Sequence, residues 1–271
     1  MTVALHIGAL ALYVTAGGLL GASLVGGRSG LPRWGGAVLP VAVVLHGLGL
    51  GAYAVVHHEL PLVGLAPSLS TLGFLIGAYL VIFAALGEVR AIGLVLAPLI
   101  ALLVGAALII GVRPTGEPLT FQGWWFALHV LLGFAGCAGL AVAFASGVLY
   151  LLQFRALKGK RFGRMFRFSP PLALLDRAGR FALAVGFPAW SLALVLAWAW
   201  TLRFDGGILL GNPQVRWGLV TWLVFVLALA ARSGPAGRDR RGAWASVLGF
   251  MVVVAVYVIL RVGAGEGRVF L

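Results

Sequence analysis

The chain has 271 residues, of which 62% are hydrophobic and only 10% charged. Water-soluble domains carry about 25% charged residues, so a soluble globular fold is excluded. The formal net charge of +13 suits basic residues that flank membrane spans and touch anionic lipid. It does not suit nucleic-acid binding, for which no soluble module is left.

A helix crosses the hydrocarbon with about 20 apolar residues. In chain order the sequence predicts spans over about 3–26, 35–56, 70–87, 91–112, 123–153, 181–202, 215–231 and 243–261. The expected fold is an all-α, polytopic transmembrane bundle, with residues 1–271 forming a single integral membrane domain. The first span has no basic stretch before it and reads as a retained helix rather than a cleaved signal. Spans three and four are separated only by Gly87-Glu88-Val89-Arg90, which predicts a tight helical hairpin. Span five is long and is expected to run on as a basic helix through "LLQFRALKGKRFGR". "SPPLALLDRAGRF" then predicts a short surface helix with an Asp176–Arg180 pair one turn apart.

Orientation follows from the basic residues. Loops one, three, five and seven hold Arg28, Arg33, Arg90, the run from Arg155 to Arg180, Arg232, Arg238, Arg240 and Arg241. The opposite side holds Arg113, Arg203, Arg216, Arg261 and Arg268. The odd loops are therefore expected in the cytoplasm, with both termini outside. Helix packing in lipid favours small side chains. Ala135, Gly139, Ala143 and Gly147 form such a ridge on span five, and Gly47 and Gly51 on span two.

Five histidines stand out: His6, His46, His57, His58 and His129. By helix rise, His46 lies roughly 15 Å and His129 roughly 9 Å from the outer ends of their spans. Ionisable groups at such depth are functional candidates. Neutral imidazole is a good axial ligand for haem iron, and two imidazoles on facing helices could hold one haem. Gly49, three residues after His46, and Gly133, four after His129, could make room for the macrocycle. The alternative is two unrelated histidines, each hydrogen-bonded to a backbone carbonyl or water. His57 and His58, with Glu59, read as an outer ligand set or an interfacial polar loop, and His6 as interfacial.

Trp124, Trp125, Trp198, Trp200 and Trp217 concentrate on the outer side, as in an aromatic belt. The stretch "WAWTLRFDGGILLGNPQVRWGLVTW" could also shelter a porphyrin face. Cys137, the single cysteine, rules out an intramolecular disulfide and reads as a packing residue. There is no zincin, nucleophile-elbow or phosphate-loop motif. No predicted span carries a buried carboxylate, so a proton-coupled carrier would lack its usual relay.

The order of several stretches carries a family resemblance. "VVLHGLG" is followed by "LHVLLGFAGCAGLAVAFASGVLYLLQ" and a basic run, then "PPLALLDRAGRFALAVGFP", "RWGLVTWLVF" and "GRDRRGAWASVLGF". In this the chain resembles the cytochrome c assembly membrane proteins, specifically their compact eight-helix branch of HemX-like and YpjD-like proteins. The resemblance implies haem handling in a bacterial-type plasma membrane. Full members take haem from inside and present it at an outer tryptophan-rich loop for attachment to apocytochrome c.

His46 and His129 fall on the positions of the intramembrane histidines and would be axial ligands of a haem b. Gly49 and Gly133 would give porphyrin access. Trp217, Trp200, His57 and His58 would be outer contacts. Two departures are visible. Asn212-Pro213 stands where the family has Asp-Pro, and no histidine follows the last span. A haem-binding, haem-carrying or regulatory member is therefore expected rather than a complete synthase or a conventional enzyme. Its partners would be the lipid bilayer, haem, and apocytochrome c or a second membrane assembly factor.

The rival reading is a HemX-like regulator or scaffold, with 155–180 docking a cytosolic enzyme of the tetrapyrrole pathway. A small-solute transporter would call for an inverted repeat, and no convincing repeat is seen.

Overall fold

The structure, a computed structural model, describes residues 1–26, 31–85, 90–114, 123–160, 163, 166, 168–204, 211–233 and 240–263. The Gly87–Val89 turn, Arg28, Arg161, Arg164, Arg167, Asp205, Arg238 and the segment after 263 lie outside the described residues.

Among the described residues eight α-helices follow in order: α1 Thr2–Gly26, α2 Leu31–His57, α3 Leu65–Ala85, α4 Gly93–Ile110 (after a 3-10 turn at Arg90–Ile92), α5 Trp124–Lys158, α6 Leu172–Phe204, α7 Pro213–Ser233 and α8 Arg240–Gly263. All eight are long and apolar enough to cross a membrane. Helices suit this setting because every backbone donor and acceptor is satisfied within the segment, away from water. Pro40, Pro98 and Pro188 sit inside α2, α4 and α6, as spans tolerate when neighbouring groups satisfy the freed carbonyls.

Three boundaries differ from the sequence reading. Helix α3 starts at Leu65 rather than near 70, because the loop before it is stapled down by the helix itself. Ser68 Oγ donates to the Leu62 carbonyl at 3.2 Å, and Thr71 Oγ1 donates to that of Pro61. Helix α5 stops at Lys158, where Gly159 N–H caps the Arg155 carbonyl and Lys160 turns to a φ of 51°.

The third difference concerns "LLDRAGRF", which is not a separate surface helix but the first turns of the 33-residue α6. No breaker separates Arg180 from Phe181, and the polar face of this segment is used inside the protein. Asp176 is buried and bonds both Arg180 at 2.8 Å and Arg232 of α7 at 3.0 Å. Asp176 falls before the predicted sixth span, 181–202, but inside helix α6, so a helix long and apolar enough to cross the membrane does carry a buried carboxylate.

Packing runs α1 against α2 and α4, α3 against α4 and α5, α5 against α6 and α8, and α7 against α8. The core is built of Leu20, Leu96, Ile100, Leu140, Leu149, Leu175 and Phe225, all fully buried. Val14, Val44, Leu48, Leu102, Leu192, Val195, Leu248 and Met251 face outward. Such exposure suits a helix surface bathed in lipid chains.

The α5 ridge works as expected. A Cβ on Gly139 would fall 2.7 Å from the Ala182 carbonyl and 3.0 Å from Gly186 Cα, and one on Gly147 2.8 Å from the Ala243 carbonyl. A Cβ on Gly47 would lie 3.0 Å from the Phe74 ring, but one on Gly51 would meet nothing within 4 Å, so Gly51 is not a contact glycine.

Candidate functional site

Two sites emerge where one was expected. The first surrounds His46. His6 is fully buried within the bundle, as are His46, Ser70 and Tyr13. Its place is made by α2, since a Cβ on Gly49 would sit 3.0 Å from His6 Nδ1. Gly49 thus holds open space for an imidazole, not for a macrocycle.

The hydrogen bonds form a chain whose direction is fixed from one end. The Thr2 carbonyl can only accept, so the neutral His6 ring carries its proton on Nδ1 and donates it there, at 2.8 Å. His6 Nε2 then accepts the Ser70 hydroxyl proton at 3.0 Å. The Ser70 oxygen accepts from His46 Nε2–H at 2.9 Å. His46 Nδ1, now a lone pair, faces Tyr13 O–H at 3.4 Å. Phe74 closes the remaining side edge-on, its centroid 5.8 Å from that of His46. Helices α1, α2 and α3 are thereby joined through one serine.

The second site surrounds His129, which is half-buried. Its Nδ1–H donates to the Ala193 carbonyl of α6 at 2.8 Å. That bond fixes the tautomer and leaves the Nε2 lone pair as the ring's acceptor. One turn along, a Cβ on Gly133 would lie 3.7 Å from the Trp190 ring, at ordinary contact. Trp190 Nε1–H donates to the Gly218 carbonyl, and its ring meets Trp217 edge-on, centroids 5.2 Å apart. Trp217 in turn donates to the Val253 carbonyl and packs on Tyr257. Trp125 donates across to the Leu196 carbonyl. His129, Gly133 and Trp217 are therefore gathered around Trp190, on the walls of α5, α6, α7 and α8.

No hydrogen bond or ring contact joins His46 and His129 among the described residues: the partners of His46 come from α1 and α3, and that of His129 from α6. His57 ends α2 and tilts against Tyr53, centroids 4.7 Å apart. His58 is exposed in a left-handed backbone conformation, φ 52°, while Glu59 is buried. Among the described residues no three His, Cys, Asp or Glu side chains converge on a point where a metal could sit, so His57, His58 and Glu59 do not form a three-ligand set. Trp200 lies half-buried in the last turns of α6. Sequence reasoning missed His6, Ser70, Tyr13 and Trp190. A signal existed for Ser70, because "APSLST" is a hydroxyl-rich start to an otherwise apolar span.

The fit to haem differs between the sites. At His129 the donor set suits it: an oriented imidazole with a free Nε2 beside an aromatic wall. At His46 it does not suit it in this arrangement, because both ring nitrogens are engaged and His6, Tyr13 and Phe74 enclose the ring.

Comparison with known proteins bears on the whole region. Residues 62–265 match the family described as Cytochrome C assembly protein. Among similar proteins, the cytochrome c biogenesis protein CcsA of Guillardia theta is 26% identical over 148 residues, 49% of this chain and 49% of that protein. CcsA of Chlamydomonas reinhardtii is 27% identical over 54% of this chain and 40% of its own length. The chain thus aligns with about half the length, or less, of these relatives. The solved structure of the cytochrome c heme lyase CcmF superposes with a TM-score of 0.66 at 18% identity, over 97% of this chain and 48% of that one. At this identity the likeness establishes a shared fold.

Proposed function

This chain belongs to the cytochrome c assembly protein family, and from that premise we propose that it binds and handles haem during cytochrome c maturation. The observation that carries the reading is the anchoring of His129. Its Nδ1–H is spent on the Ala193 carbonyl, so Nε2 is the nitrogen that would take the iron. Haem b is the proposed cofactor. When bound it would supply an iron centre for transfer or redox control. The protein's part is to hold the imidazole at a fixed rotation and to flank it with Trp190 and Trp217.

His46 enters differently. As a second axial ligand it would have to give up Ser70 or Tyr13. As it stands it ties α1 and α2 to α3. We place the site on the extracytoplasmic side of a bacterial-type plasma membrane, with both termini on that side, because fifteen of the 20 Lys and Arg flank the opposite side. His57 and His58, at the end of α2, and Trp200, in the last turns of α6, are proposed to face the same side. Apocytochrome c or a second membrane assembly factor is the proposed partner there. The compact HemX-like branch is the proposed placement within the family.

The test is an absorption spectrum of the full chain, purified from cells supplied with haem. The expected result is a haem band present in the native protein and lost in His129→Ala. A low-spin spectrum retained in His46→Ala assigns His46 to the hydrogen-bond chain; one that collapses there too assigns it to the iron. A native protein that holds no haem under these conditions, or His129→Ala with an unchanged spectrum, overturns the reading.

A further inference from the structure

At the basic end of the bundle, the first turns of α6 carry a cluster that the haem reading does not use. Among the described residues Asp176 is its one carboxylate, and three guanidinium groups gather there: Arg177, Arg180 and Arg232. Asp176 is shared by Arg180, 2.8 Å away, and by Arg232, 3.0 Å away. Arg232 comes from α7 and is buried, and its second amino group donates to Ser246 of α8 at 2.9 Å. Its Nε is buried with no hydrogen-bond partner. Gly179 is what lets it in, since a Cβ there would lie 2.9 Å from the guanidinium. Arg177 is exposed and pairs with no carboxylate among the described residues. The cluster therefore keeps a surplus of positive charge even after Asp176 is counted.

Beside it opens a cavity of about 480 Å³, lined by Tyr150 of α5 and by Leu172, Ala173, Asp176, Arg177 and Arg180 of α6. The α6 residues recur at helical spacing and form one face. One wall is apolar, from Leu172, Ala173 and the Tyr150 ring, and the rim is guanidinium. Such a pocket matches a molecule with an anionic head and an apolar body. Its position at the edge of the membrane-crossing segments puts the head at headgroup depth and the body toward acyl chains. Basic pockets between spans on the basic-rich side recognise anionic lipid heads, and the planar fork of Arg suits phosphate oxygens.

We propose that the cavity between Tyr150 and the Arg177–Arg180 face binds the phosphate head of an anionic phospholipid from the adjacent leaflet. The lipid would supply the negative charge that Asp176 alone does not. Its acyl chains would run along the α5–α6 seam.

The test is native mass spectrometry of the full chain in neutral detergent, titrated with phosphatidylglycerol or with phosphatidylcholine. Phosphatidylglycerol is expected to be retained preferentially. The double variant Arg177→Gln/Arg180→Gln is expected to lose about 30-fold in retention, from two basic contacts at a surface. It keeps the Asp176–Arg232 bond, so the fold is retained, and thermal unfolding checks this. Arg155→Gln/Lys158→Gln removes the same charge from the same end, on α5 outside the cavity, and is expected to leave retention within about twofold of the native protein, since neither side chain lines the pocket. Equal losses in both double variants, or no preference between the two lipids, overturns the proposal. So does mesoporphyrin displacing phosphatidylglycerol stoichiometrically, which would make a carboxylate amphiphile the occupant.

Discussion

His6 and His46, 40 positions apart in the sequence, lie edge to face in the bundle with ring centroids 5.5 Å apart and share one hydroxyl, that of Ser70. Among the described residues neither ring nitrogen that meets the serine has another bonding partner, so the pair and the serine stand or fall together.

Replacing Ser70 with Ala therefore strands two buried imidazole nitrogens at once. The loss expected is about 1–2 kcal/mol: a stranded buried group is costly, while single interhelical bonds in membranes average less than one. Thermal unfolding in detergent should show the lowered midpoint. Tyr13→Phe, which removes only the 3.4 Å bond, should cost less than half as much.

The small-residue seam between α5 and α6 gives a sharper contrast. Gly139→Ala places a methyl 2.7 Å from a backbone carbonyl, and the helices must part to admit it. About 1–3 kcal/mol of destabilisation is expected, as for other overpacked cores. Gly51→Ala meets nothing within 4 Å and should be neutral or slightly stabilising, because alanine is the better helix former. Unfolding midpoints of the two variants, measured side by side, decide it.

The Asp176 cluster allows a test of buried against exposed charge. Asp176→Ala leaves the Arg232 guanidinium, its side chain 3% exposed, without its carboxylate. A cost of about 3–5 kcal/mol is expected. Arg180→Ala removes the partner that is 39% exposed, and should cost no more than about 1 kcal/mol. Comparable losses in both would show that Arg232 finds another counter-charge.

Trp190→Phe keeps an aromatic ring against Gly133 and Trp217 but deletes the N–H bonded to Gly218 at 3.1 Å. About 1 kcal/mol should be lost. Trp190→Ala also opens a cavity and should cost about 3–5 kcal/mol. Tryptophan fluorescence of Trp217, its edge-on neighbour, should shift to the red in the alanine variant alone.

The spans were legible because hydropathy acts locally: twenty apolar residues announce a crossing wherever they fall. So was the α5 ridge, since Gly139 and Gly147 repeat on one helix face. What was not legible depends on partners distant in sequence. His6 near the N-terminus looked interfacial, and only Gly49 on α2 and Ser70 on α3 make it a core residue. "DRAGR" looked like a surface helix because its charges were counted without Arg232, which arrives 56 positions later. The depth estimate put His46 and His129 at comparable levels, but level says nothing of which neighbours a ring faces. The Ala193 carbonyl that orients His129, and the Trp190 ring that carries Gly133 toward Trp217, were beyond any pattern in the chain.

Helix α5 has a mechanical consequence of its own. Its 35 residues make a rod of about 52 Å, against roughly 30 Å of hydrocarbon. His129 lies near one tip and Lys158 at the other, about 44 Å away by helix rise. Locked to α6 where Gly139 meets Gly186, the rod swings with its neighbour as a lever. A tilt of about 5° about its middle moves the imidazole by about 2 Å. Because both tips belong to one continuous helix, any tilt of α5 about its middle displaces the basic end and the histidine end in opposite directions.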